Sequence, residues 1–347
     1  YAPAIGLALC SANLPEPTIG SNSDTQATDN FSVTTYTGDD NFPRQIPTGL
    51  SSSDWIVTKY YNANVGGVTY DSSRGAGSGN DLPLNSSGAE EANSGAAFGH
   101  VSDFNNDNKG VTVADGSING AFVNSDGGLH VMYAWKANNN TTSTVTDGTI
   151  NSTVQANPTA GFNIVTWTGD GNQATIGHGL GVKPSLIIAK SRNVTGDWRV
   201  WHQSLSAAQY MTLNLPAIAG DSNSVWGTSP AQNATTFSIG TNTDVNQNTK
   251  LYVAYCFAEI EGYSKFGSFI GNVDADGAMI FTNFSPSFVM VKRTTGGSTY
   301  DWFIHDNKRG AFNVNDERFS PNETGAQSTS ITSMDFLSNG FKIRTAN

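Results

Sequence analysis

Cysteine is scarce. The 347 residues contain two, Cys10 and Cys256. A disulfide framework needs more, and spacing alone leaves open whether these two pair. Positive charge is also thin, with 18 Lys and Arg against 29 Asp and Glu, a net charge of -11. Gripping a phosphate backbone or an anionic membrane surface takes clustered Lys and Arg. A dedicated nucleic-acid binder and an electrostatic membrane binder are therefore excluded. No apolar run approaches the ~18–20 residues of a membrane span, so no membrane insertion is expected. Catalytic signatures are missing too. The five histidines, His100, His130, His178, His202 and His305, fall into no H-E-x-x-H or paired H-x-H arrangement. There is no G-x-S-x-G elbow; Gly75-Ala-Gly-Ser-Gly79 has the wrong spacing and reads as flexible loop.

What is present is turn chemistry and large rings. Gly contributes 37 residues, and Asn, Ser and Thr are abundant. Aromatics make up 10% of the chain, which separates it from a disordered composition. A helical bundle draws on Ala, Leu, Glu and Lys instead. Short runs of Val, Ile, Phe, Tyr and Trp, bounded by Gly, Asn, Asp and Pro, predict an all-β fold of antiparallel strands in sandwiches or barrels.

Three segments share one order of features. Each opens with a strand-like run ending in a Gly turn: Phe31–Gly38, Phe162–Gly169 and Tyr263–Gly271. A β-branched run closed by Lys follows: Trp55–Lys59, Leu186–Lys190 and Phe288–Lys292. An aromatic-rich strand comes next, ending at Asp71, His202 and Asp306, which lie 12, 12 and 14 residues after those lysines. Arg74-Gly75 and Arg309-Gly310 follow in the first and third segments, where the second has Ser204-Leu205. A late strand recurs at Gly110–Val113, Phe237–Ile239 and Gly340–Ile343. The first two segments finish with a closing strand, Val131–Lys136 and Tyr252–Phe257; the third has none. The expected architecture is thus tandem antiparallel β-sandwich repeats, jelly-roll-like, with the third copy lacking its closing strand. That strand is expected beyond the end of the sequence or from another chain. The third copy should then be incomplete and loosely packed, because a missing strand exposes unpaired backbone groups. The lysines read as strand ends reaching solvent, for edge protection and solubility.

The resulting domain reading is residues 1–29 as a linker, 30–137 as repeat 1, 138–160 as a linker, 161–260 as repeat 2 and 261–347 as an incomplete repeat 3. The start at Tyr1 and the end directly after a strand-like run read as a segment of a longer polypeptide.

Candidate sites are few. Asn272-Val-Asp-Ala-Asp-Gly277 alternates oxygen-bearing residues before a Gly, like the first half of a calcium loop. Asn272, Asp274 and Asp276 would be the ligands, so calcium is a possible cofactor. Asn283 stands where that loop needs its bidentate Glu, and a plain hairpin turn explains the residues as well. Asp103–Gly110 is similar but places its Gly late. Glu259 with Glu261, and Glu90 with Glu91, are the carboxylate pairs a glycosidase would need, though 29 acids produce such pairs by chance. Most of the seven Trp should be core. Trp226 differs, lying in the polar loop Asp221–Ser229. With Asp221 and Asn223 it could stack a sugar ring, or it could plug its loop onto its own domain.

The wording of the repeats resembles a family of repeat domains in virion proteins of tailed bacteriophages, many of them marine. The matching phrases are Asn172–Gly181, Tyr255–Gly267, Phe284–Arg293 and Met334–Arg344. Cys10–Ile19 looks like the segment joining a preceding SPRY-like domain to the first repeat. The resemblance implies a non-enzymatic virion protein located outside the cell: a tail fibre, appendage or capsid decoration. Expected partners are other virion proteins and a host surface glycan, and the expected assembly is a homo-oligomer, a trimer. The alternatives are a polysaccharide-degrading tail enzyme and a secreted bacterial adhesin.

Overall fold

A computed structural model describes residues 19, 25–90, 95–105, 110–227, 231–297, 299–329 and 333–345. The fold is all-β, built from antiparallel sheets in three lobes.

Lobe 1 contains β1 (Phe31–Thr37), β2 (Arg44–Ile46), β3 (Trp55–Tyr60), β4 (Val68–Asp71), β5 (Leu82–Pro83), β6 (His100–Asp103), β7 (Val111–Ala114) and β8 (Leu129–Trp135). Its large sheet runs β1-β8-β3-β4-β5, and β2-β7-β6 forms a second sheet. Lobe 2 contains β9 (Ser143–Val145), β10 (Ser152–Asn157), β11 (Phe162–Thr168), β12 (Ala174–Gly177), β13 (Leu186–Ser191), β14 (Arg199–His202), β15 (Gln209–Thr212), β16 (Gly220–Asp221), β17 (Thr236–Ile239) and β18 (Leu251–Phe257). Its sheets are β16-β15-β14-β13-β18-β11-β10-β9 and β12-β17. Lobe 3 contains β19 (Met279–Phe281), β20 (Phe288–Val291), β21 (Phe303–Asp306), β22 (Met334–Leu337) and β23 (Gly340–Ile343), in the sheets β19-β23-β22 and β20-β21. The order β1-β8-β3-β4-β5 reappears in lobe 2 as β11-β18-β13-β14-β15.

β8 and β18 each have a strand on either side and are buried on both faces, which is why they read as nearly unbroken apolar runs. Val131 and Tyr133, like Val253 and Tyr255, point into a core shared by all three lobes. Met132 and Ala134 point into lobe 1's own core, and Ala254 and Cys256 into lobe 2's. Aromatic contacts knit the shared core: Trp55 stacks on Tyr255 at 4.2 Å between centroids, and Phe288 meets Tyr133 at 5.1 Å. Such pairs add to the burial of the rings themselves.

Three expectations are corrected. Residues 138–160 are not a bare linker, because β9 and β10 extend the lobe 2 sheet through the β10–β11 hairpin. Tyr263–Gly271 forms no strand. A strand needs a hydrogen-bonded neighbour, and the closing strands that flank β1 and β11 have no counterpart among the described residues of lobe 3. The lysines do not simply reach solvent: Lys59 and Lys190 are buried and Lys292 is half-buried. Their ammonium groups satisfy carbonyls at the seams between lobes.

Candidate functional site

The buried polar groups converge on the seams between lobes. Each strand-ending lysine reaches the loop of a neighbouring lobe. Lys190 of lobe 2 donates to Ser87 O of lobe 1 at 3.1 Å. Lys292 of lobe 3 donates to Pro216 O of lobe 2 at 3.0 Å. Lys59 of lobe 1 donates to Thr324 O and Gly325 O of lobe 3 at 3.0 and 2.8 Å. Every one also binds a carbonyl of its own hairpin: Gly196, Tyr300 and Val65 respectively. Backbone bonds run beside them, from Glu90 N to Arg192 O, Ala219 N to Thr294 O and Gln327 N to Tyr61 O. Lobe 2 thus grips lobe 1, lobe 3 grips lobe 2 and lobe 1 grips lobe 3, so the contacts close into a ring. Burial pulls all three ammonium groups down to about 8.

Two indoles add to the seams. Trp198 donates to Pro83 O and Trp302 to Thr212 O, each at 2.9 Å.

A buried carboxylate–guanidinium–phenol cluster marks two of the three seams. Tyr255 of lobe 2 donates to Asp71 of lobe 1 at 2.7 Å, and Arg74 holds the same carboxylate. Tyr133 of lobe 1 donates to Asp306 of lobe 3 at 2.6 Å, with Arg309 on that carboxylate at 2.6 Å. The Asp and Arg side chains are fully buried in both clusters. Burial raises the two phenols, so they remain protonated donors. Register places Asp71, His202 and Asp306 opposite Trp55, Leu186 and Phe288, so His202 and Leu205 stand where the other lobes have Asp and Arg. Sealed from solvent, these clusters act as staples. A buried ion pair that loses one partner is strongly destabilised.

Trp226 is not a sugar platform in this structure. It ends a one-turn helix, Asn223–Trp226, capped by the Ser222 hydroxyl, and is 1% exposed within the core of lobe 2. The polar composition of its loop concealed this, because Asp221 and Asn223 face water while Val225 and Trp226 turn inward. The loop plugs its own lobe.

Asn272, Asp274 and Asp276 form a self-satisfied turn. Asn272 Nδ2 donates to Asp276 O at 3.2 Å, and Asp276 N donates to the Asp274 carboxylate at 2.9 Å. Lys342 sits on the Asp276 carboxylate at 2.5 Å, supplying a positive charge from the chain itself. The Asp103–Gly110 loop lies partly outside the described residues. Among the described residues no three His, Cys, Asp or Glu side chains cluster as a metal site would require.

The described carboxylates of these pairs have other partners. Glu90 bridges Arg74 and Arg192 at 3.0 and 2.8 Å, while Glu91 lies outside the described residues. Glu259 accepts from Lys265, Phe266 N and Gln203 at the seam of lobes 2 and 3, while Glu261 is exposed. His130 is stacked between Tyr36 and Tyr60, and burial lowers it to about 4. Cys256 is a buried free thiol, and Cys10 lies outside the described residues. No described helix is long and apolar enough to cross a membrane.

The class these features define is an all-β protein whose buried charge is spent on joining lobes. The chain belongs to the family described as a domain of unknown function, DUF7483, matched over residues 26–347. No curated protein and no solved structure matches it.

Proposed function

We propose that the chain is a non-enzymatic structural unit of a tailed-phage particle, in a tail fibre, appendage or capsid decoration. The supporting observation is the closed set of seams. Lysine, tryptophan and Asp–Arg–Tyr contacts are devoted to fixing lobe against lobe, which suits a rigid spacer bearing mechanical load. The resemblance of its repeat wording to phage virion proteins points the same way. Burial of Trp226 removes the residue that best carried glycan stacking, so the structural role leads the adhesive one. Other virion proteins are the partners in this reading, and a homotrimer is the assembly to test first.

Cryo-electron microscopy of intact particles, averaged over tail and capsid, tests this. Three-lobed density on the particle is the expected result. Its absence, with the protein recovered from the culture medium instead, would overturn the reading in favour of a secreted adhesin.

A further inference from the structure

We propose that lobe 3 carries a binding cleft for a neutral saccharide, in which Arg318, Asp301 and Glu323 take the sugar hydroxyls. The inference rests on lobe 3 itself and not on the reading of the chain as part of a particle.

The cleft has a closed counterpart in lobe 2. Arg199 and Phe303 take the same step in β14 and β21, opposite Ala189 and Val291. Met211 pairs with Val200, and Phe319 with Ile304, so Tyr210 and Arg318 correspond on the neighbouring segment. Lobe 2 sets Arg199 over the Tyr210 ring at 4.8 Å, and lobe 3 sets Arg318 over the Phe303 ring at 4.0 Å. It is one cation–π pair with its two members exchanged.

The exchange changes what the guanidinium meets. Arg199 bonds to Asp244, Asp197 and Thr212. The Arg318 side chain makes no hydrogen bond or ion pair among the described residues, although every other arginine of the chain makes at least one. Arg318 is half-buried and lines a cleft of about 310 Å³. Burial lowers it from the ordinary arginine range, and the Asp301 charge opposes that shift. Its N–H donors, planar and fixed as a fork, are left to a ligand.

The lining prescribes the ligand. Asp301, Glu323 and Ser320 share the cleft with Arg318, and Phe303 and Ala326 add apolar surface. One Asp301 oxygen accepts from Asn322 Nδ2 at 2.8 Å, which leaves the other for the cleft. Two carboxylates against one guanidinium disfavour an anion, and the guanidinium disfavours a cation. A hydroxyl suits both, because it accepts from the guanidinium while donating to a carboxylate. Several hydroxyls on a ring with apolar C–H faces are the chemistry of a sugar. The volume stands at the small end of the roughly 300–1,000 Å³ of ligand pockets, which suits a short saccharide.

Saturation-transfer NMR on the full chain tests this, with glucose, galactose, mannose and N-acetylglucosamine as the probes. At least one of these sugars should bind, and its titration should move the Arg318 Nε–H resonance, assigned by its loss in R318M. R318M keeps an apolar stem against Phe303 but removes the donors. The dissociation constant should rise about tenfold or more, since a hydrogen bond to a charged group is lost, while the melting temperature stays unchanged. E323A, at an exposed residue, should weaken binding as well. Binding by none of these sugars, or undiminished binding in both variants, overturns the proposal. Tighter binding of glucuronate or phosphate than of the neutral sugars overturns it in favour of an anion site. The isolated protein is measured, so neither result depends on whether the chain belongs to a particle.

Discussion

Lobes 2 and 3 start from similar wording and reach different ends. Phe162–Thr168 becomes a buried strand between β10 and β18. Tyr263–Ile270 starts in a turn, with Ser264 bridged to Ile260, and joins no sheet among the described residues. The difference lies in the neighbour: a β-strand is stable only when its backbone groups are paired, so the same local pattern folds in one lobe and not in the other. Core size follows. The separate core of lobe 2 includes Trp167, Trp226, Phe237 and Tyr252, whereas the buried part of lobe 3's own core is Val289, Met334 and Phe341. Lobe 3 owes its hold to the shared core, through Trp302, Ile304 and Phe319.

The comparison can be broken at the staples. R74A and R309A each strand a buried carboxylate, and each should cost about 3–5 kcal/mol in denaturant unfolding. If lobe 3 is the weaker lobe, R309A should also split the transition into two steps, while R74A keeps one. A single transition for both would show that the shared core makes the three lobes one unit.

Removing only the phenol hydroxyls is milder. Y255F and Y133F each take a hydrogen bond from a charged group and should cost about 1.5–3 kcal/mol by thermal or chemical unfolding. Equal losses would argue that the two seams matter alike despite the smaller core of lobe 3.

Acid should also distinguish the lobes. Burial lowers His130 of lobe 1 and His305 of lobe 3 to about 4, against an ordinary value near 6.5. The unfolded chain then binds more protons than the folded one between these values, so stability falls as pH drops from about 6.5 to 4. H130F should make this loss shallower in melting temperatures measured across that window. H305F should do the same for lobe 3 alone if that lobe melts separately.

The smallest effect is expected at the open edge. I270S alters a side chain that already faces water, so stability should change by no more than about 0.5 kcal/mol. I164S, at the buried end of the comparison, should be severely destabilising by the same measurement.

Much of the strand content was legible. The Lys-closed runs at 55–59, 186–190 and 288–292 read as strands and are strands, within a residue or so at their ends. The seams were not. A lysine after a β-branched run looks like a solvent-facing end, and nothing local shows that a loop about 100 to 270 residues away brings carbonyls to it. At Trp226 the sequence left sugar stacking and plugging its own lobe equally open, for the converse reason. Its neighbours are polar, but one helical turn sends Asn223 outward and Trp226 inward. The hint available was the Arg at the third residue after Asp71 and after Asp306, a spacing that lets the guanidinium fold back onto the carboxylate.

By itself the sequence determined the all-β class, the strand runs and the glycine turns, because those depend on neighbours a few residues apart. The tertiary structure decided which strand pairs with which, which polar groups are buried, and that lysines, indoles and Asp–Arg–Tyr clusters tie three lobes into a ring. Those outcomes depend on groups far apart in the chain, whose burial and partners exist only once the sheets have packed.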